Sequence, residues 1–135
     1  MPQNARTHAQ AEVTVRSHEA VPFDDASAPK LVEIRIEESF VGDLEGSSTV
    51  RALQVAYSHE SASLQTLQRF RGRLHGKRGA FVLEGRGVVE HGRIQVKWFV
   101  VPHSGTEELT GLCGEGGFEG RFGEGSTATL DFWFD

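Results

Sequence analysis

Apolar and polar residues change places at every second position through most of this chain, and a period of two admits extended strands and little else. The alternation is clearest over residues 31–41, where Val32, Ile34, Ile36 and Phe40 share one face and Glu33, Arg35 and Glu37 the other. Upstream, Val13 and Val15 alternate with Glu12, Thr14, Arg16 and His18. Residues 48–58 put Leu53, Val55 and Tyr57 on the more apolar face. Residues 64–74 read two ways. Leu64, Leu67 and Arg71 suit a helix, whereas a strand gathers Leu64, Thr66, Gln68, Phe70, Gly72 and Leu74 on one face and Arg69, Arg71 and Arg73 on the other. Gly72 and Gly76 weaken a helix, and the strand reading is adopted. Residues 79–89 align Phe81, Leu83, Gly85, Gly87 and Val89, and residues 93–101 set Val96, Trp98 and Val100 against Phe99 and Val101. Segments 108–122 and 127–134 complete about eight strands, with turns at the spacing of a barrel or sandwich.

Regular hairpins with no helix between them favour a small closed antiparallel barrel with a central cavity. The 135 residues suffice for one core and no second module. Of the 16 glycines, all but two lie from Gly72 onward, as strand coiling and bulges require. Residues 1–10 are polar and read as a disordered lead-in, which leaves 11–135 as the barrel domain. Pro22, Asp24, Asp25, Ser27 and Pro29 mark 21–30 as a long loop, expected to act as a lid with Phe23 tucked towards one barrel mouth. A single cysteine, Cys113, excludes an intrachain disulfide. The N-terminus lacks the apolar core of a signal peptide and no apolar run spans a membrane, so a cytoplasmic location is expected. A net charge of −5 gives no general attraction to nucleic acid or anionic membranes.

The segments Gly42-Asp43-Leu44-Glu45-Gly46, Gly79-Ala80-Phe81-Val82-Leu83, Val100-Val101-Pro102 with Ser104-Gly105-Thr106, and Glu108 to Phe118 through Gly114-Glu115-Gly116-Gly117 occur in this order. Together they resemble a bacterial domain-of-unknown-function family, number 3224, over about Val13 to Asp135. The resemblance implies a barrel of the allene oxide cyclase type and no assigned activity. The chain departs from the family pattern at three places. Glu84-Gly85 stand where Gln-His is usual, Gln68 where Glu is frequent, and Cys113 where Arg is usual. Glycine in place of an imidazole at position 85 is expected to widen the cavity.

The six histidines are scattered without ligand spacing, so no metal site is expected, and no cofactor motif is present. Gly114 to Gly117 is not a phosphate loop, since no Lys-Ser/Thr and no helix follow. Cys113 lacks an adjacent base and is read as inert. Arg69, Arg71 and Arg73 are expected to face Glu33, Glu37 or other acids on the outer surface. Candidate catalytic residues are Glu38, which interrupts an apolar face, Glu115 and Tyr57. Candidate ligand-binding residues are Gln68, Phe40, Phe70, Phe81, Leu83, Trp98 and Phe132. A few polar groups in an apolar cavity suit an apolar small-molecule ligand. Three functions remain open: a cofactor-independent isomerase or cyclase, a non-catalytic small-molecule binding protein, and a structural or partner-binding barrel. If Trp98 and Phe132 point inward, Phe99, Val101 and Trp133 point outward, and a homo-oligomer through those three, a dimer or a trimer, is expected.

Overall fold

The computed structural model describes residues 5–121 and 124–135. The protein is all-β: eight antiparallel strands close into one barrel in chain order. They are β1 (Thr7–Asp24), β2 (Lys30–Gly42), β3 (Leu44–Ser58), β4 (Ser61–Leu74), β5 (Lys77–Glu90), β6 (Arg93–Val100), β7 (Leu112–Arg121) and β8 (Ser126–Phe134). Closure comes from the pairing of Thr7 through Val13 with Phe132 through Ser126. A single short 3-10 turn, Glu107–Leu109, interrupts the all-β pattern among the described residues. Among the described residues, no helix is long and apolar enough to cross a membrane.

The N-terminal segment expected to be disordered enters the sheet at Thr7, and Ala9 is fully buried. Ladder hydrogen bonds to β8 and burial of one small side chain outweigh the polar composition; residues 1–4 lie outside the described residues. The expected loop at 21–30 is mostly strand, with only residues 25–29 between β1 and β2. Pro22 is accommodated because β1 beyond Val13 is paired on one side only, and the register shifts between Pro22 and Asp24. An edge strand and an irregular ladder are the places where proline fits a sheet. Phe23 is 58% exposed and does not tuck into the barrel.

The two ends of the barrel differ. Around the β2–β3 and β4–β5 turns the interior is solid, packed with Phe40, Leu44, Phe70, Leu74, Phe81, Leu109, Leu112 and Phe132. The Phe70 ring meets Phe40 edge-on at 5.3 Å and lies 5.2 Å from Phe81. Leu109, carried on the 3-10 turn, plugs this end.

The same connection repairs the sheet. β6 ends at Val100, so the first half of β5 lacks a strand partner on that side. The backbone N–H groups of Val82, Ala80 and Arg78 donate instead to Ser104 Oγ (3.0 Å), Thr106 Oγ1 (3.0 Å) and Glu108 Oε1 (2.9 Å). Side-chain oxygens at every second position thus replace the carbonyls of a missing strand and satisfy the donors on the unpaired edge of β5. Thr106→Val is expected to lower stability by about 1 kcal/mol. The readout is urea unfolding, together with faster amide exchange at Ala80; an unchanged exchange rate there would show that the threonine is not its partner.

Candidate functional site

Toward the β1–β2, β3–β4 and β5–β6 turns the interior opens into a pocket of about 480 Å³. Its walls are mostly aliphatic: Ile34 and Ile36 from β2, Val50 and Ala52 from β3, Leu64 from β4, Val89 from β5 and Ile94 from β6. The alternation of each strand sends these residues inward, and β-branched side chains pack well on a pleated wall. Phe118 from β7 also lines the pocket, and His18 and Arg121 line it as well.

Thr14, Gln54 and Ser126 line it too, and three further polar side chains in the wall are buried. Glu38, on β2 between Ile36 and Phe40, is only 9% exposed. Gln68, on β4, donates through Nε2 to Ser48 Oγ at 2.7 Å and to Glu38 Oε1 at 3.4 Å. Thr66 lies two residues from Gln68 on the same strand face, nearer the open end; it is 7% exposed, and its Oγ1 has no hydrogen-bond partner among the described residues. No ion pair with a lysine, arginine or histidine compensates Glu38 among the described residues. Burial therefore dominates and pushes its pKa up to about 7, against the opposing hydrogen bond from Gln68. Below this group the Phe40, Phe70 and Phe81 rings form a dry support.

The arrangement offers one carboxyl that changes protonation near neutrality, an amide that holds it, and a hydroxyl without a partner among the described residues. Such a set can hold one polar group of an otherwise apolar molecule and move a proton on it. Among the described residues, no group of three or more histidine, cysteine, aspartate or glutamate side chains could hold a metal ion.

The sequence-predicted residues separate into three groups. Glu38 and Gln68 line the pocket together. Phe40, Phe70, Phe81, Leu83, Trp98 and Phe132 point inward as expected, but belong to the packed half and do not line the pocket. Their size fills the barrel there. Glu115 and Tyr57, expected as catalytic partners, face outside. Glu115 is ion-paired with Arg6 at 2.6 Å, and the Tyr57 side chain is 56% exposed. The inward face of β3 is Ser48, Val50 and Ala52, the opposite of the expected Leu53, Val55 and Tyr57 face, because a pocket wall beside a polar group accepts small residues. His18, read as lying on a polar face, lines the pocket, since a register shift between Val15 and Ser17 reverses the alternation of β1.

Gly85 and Gly87 do not widen the pocket. A Cβ on Gly87 would stand 2.1 Å from the Gln95 carbonyl oxygen, and one on Gly85 2.9 Å from that of Lys97. These glycines let the β5 and β6 backbones approach, and Val96 occupies the space beside them. Of the acids expected opposite the arginine row, Glu45 stands across from Arg73, but Glu33 and Glu37 do not meet the row. Glu33 accepts from Arg35 at 3.1 Å and Glu37 from the Thr49 hydroxyl at 3.1 Å, whereas Arg69, Arg71 and Arg73 lie one strand further on. Cys113 is half-buried and donates to the Gly111 carbonyl at 3.6 Å. Thr66 carried no signal in the sequence; its significance comes only from the lack of a partner.

The family described as "Protein of unknown function (DUF3224)" matches residues 7–134. Among solved structures, the chain is similar to a protein described as of unknown function from the DUF3224 family of Shewanella oneidensis MR-1. The two share 25% sequence identity over 96% of this chain and 98% of that chain, with a TM-score of 0.77. No curated protein matches the chain. A match that runs from the first strand through the last, on the same barrel, means that the chain belongs to the DUF3224 family.

Proposed function

We propose that the barrel admits a small, mostly apolar molecule through its open end and sets the polar group of that molecule against Glu38. In this reading Glu38 is a general acid or base, and the protein is a cofactor-independent isomerase or cyclase. The supporting observation is a carboxyl that is buried in a mostly aliphatic pocket, hydrogen-bonded by Gln68 and, among the described residues, in no ion pair. A carboxyl with a pKa about 7 exists in both forms at neutral pH, as proton transfer in either direction requires. The likeness to allene oxide cyclase barrels belongs to this proposal and rests on motif resemblance.

A second reading, simple binding without turnover, is favoured by the outward placement of Glu115 and Tyr57, which leaves Glu38 alone among the three expected catalytic side chains. One experiment separates the two. Molecules that co-purify with the protein are extracted, identified by mass and incubated with wild type and with Glu38→Gln. The expected result is an isomer of unchanged mass and altered retention time from wild type, formed roughly 100-fold more slowly by Glu38→Gln. Recovery of the molecule unaltered from wild type would establish the binding reading instead.

We also propose that the chain self-associates through Phe99, Val101 and Trp133. Phe99 is 44% exposed, Val101 and Trp133 are half-buried, and the Arg6 guanidinium lies 4.6 Å from the Trp133 ring centroid. Phe99→Arg is expected to convert an oligomer to a monomer in light scattering. A monomer for wild type at tens of micromolar would end this proposal.

A further inference from the structure

The unpartnered hydroxyl of Thr66 is the least expected feature of the molecule. Buried side-chain oxygens are almost always hydrogen-bonded, and one left alone in the free protein points to a group that arrives later. It belongs to the same pocket as Glu38 and follows from an observation independent of the carboxyl. Gln68 does not serve it, because its Nε2 is committed to Ser48 and Glu38. The Thr66 Oγ1 lies beside Gly85, where a Cβ would come within 2.7 Å of it. A side chain at position 85 would crowd that oxygen. Thr66 lines the pocket, and rotation about its Cα–Cβ bond to another staggered rotamer is the movement that turns the O–H towards a ligand there.

We infer that the ligand is a carbonyl compound with an acidic C–H next to the carbonyl, its oxygen held by the Thr66 hydroxyl and that C–H facing Glu38. This rests on the acid–base reading above and narrows it to one substrate class. The step balances within the site. The Glu38 carboxylate takes the proton from the α-carbon. The C–H electron pair becomes the new carbon–carbon π bond, and the carbonyl π pair moves onto oxygen. The enolate oxygen accepts the Thr66 hydrogen bond. The carboxylic acid then returns its proton to the opposite face of the α-carbon, giving an epimer, or to the γ-carbon of an unsaturated compound, giving a positional isomer. No oxidant, reductant or co-reactant is consumed. A hydroxyl donor aimed at developing negative charge in a dry pocket is worth far more than the same donor in water.

Hydrogen–deuterium exchange tests the inference. 2-Octanone and 2-cyclohexen-1-one are incubated with the protein in deuterated buffer, and isotope incorporation beside the carbonyl is followed by NMR. Saturation-transfer NMR reports binding of each ketone, of 2-octanol and of octylamine. Wild type is expected to accelerate incorporation above the buffer rate and Glu38→Gln to abolish the acceleration. Thr66→Val should cut the rate 10- to 1000-fold while ketone affinity changes less than threefold, and Thr66→Ser should restore most of it. Thr66→Val is close to isosteric and removes an unsatisfied group, so it is expected to fold. Binding of the ketones without exchange, or exchange unaffected by Thr66→Val, would overturn the inference and leave the pocket reading standing. Preferential binding of octylamine, lost in Glu38→Gln, would make the carboxyl a counter-ion and also overturn it. If none of the four probes binds, the ligand-pocket reading itself falls.

Discussion

Phe70→Ala is expected to destabilise the protein by about 3–5 kcal/mol, the range for truncating a fully buried aromatic ring. Phe70 is wholly buried, and its ring bridges Phe40 and Phe81 across β2, β4 and β5. Removing it deletes two ring contacts and leaves a void that the solid half of the barrel cannot close without moving strands held by their ladders. The void would lie just below Gln68, two residues away on the same face of β4. The amide that holds Glu38 and Ser48 would therefore lose its support, and ligand affinity should fall with stability. Urea unfolding measures the first effect. Phe70→Leu should cost less than half as much, since most of the volume is retained. A loss below about 1 kcal/mol for Phe70→Ala would mean that the closed end is not packed as described.

The second large effect is a pH dependence. Glu38 titrates at about 7 in the folded protein against an ordinary value of 4.5, the rise being caused by burial and opposed by the Gln68 hydrogen bond. Between those two values the folded state binds more protons than the unfolded state. Stability from this group is therefore complete below the lower value and declines as pH rises through the upper one. The full difference amounts to about 3 kcal/mol. Glu38→Gln cannot titrate, so it should match wild type near pH 4 and be the more stable protein at pH 8.5. Urea unfolding of both proteins across that interval gives the difference curve, in which the other carboxylates cancel. A flat difference would show that Glu38 is solvated, and the acid–base reading would lose its physical basis. A stability gain from removing a carboxyl is the ordinary mark of a group kept for function.

Strand number, antiparallel order and barrel closure were legible in the period-two pattern, because each strand must present one face to a common interior. β2 is the clearest example: Val32, Ile34, Ile36 and Phe40 identify the inner face, and Glu38 stands out as the one charge among them. β4 was legible in the same way once its arginines were assigned to the outside, and Gln68 followed. The pattern failed where the two faces of a strand are alike in polarity. On β3 the outer residues Leu53 and Tyr57 are more apolar than the inner Ser48 and Ala52, and on β7 the glycines leave nothing to distinguish the face that carries Glu115.

What the sequence alone determined, then, was the period, the count of strands and the inward placement of Glu38 and Gln68. Tertiary structure decided which end of the barrel is filled. The filling comes from the connection after β6, where Leu109 plugs the end while Ser104, Thr106 and Glu108 stand in for a strand. That segment has no alternation of apolar and polar residues to read. Tertiary structure also decided that Glu115 and Tyr57 lie outside, that His18 comes in through a shift in register, and that Thr66 is left without a partner. Each of these depends on how neighbouring strands meet, and a strand's own sequence specifies its two faces without specifying what the next strand places against them.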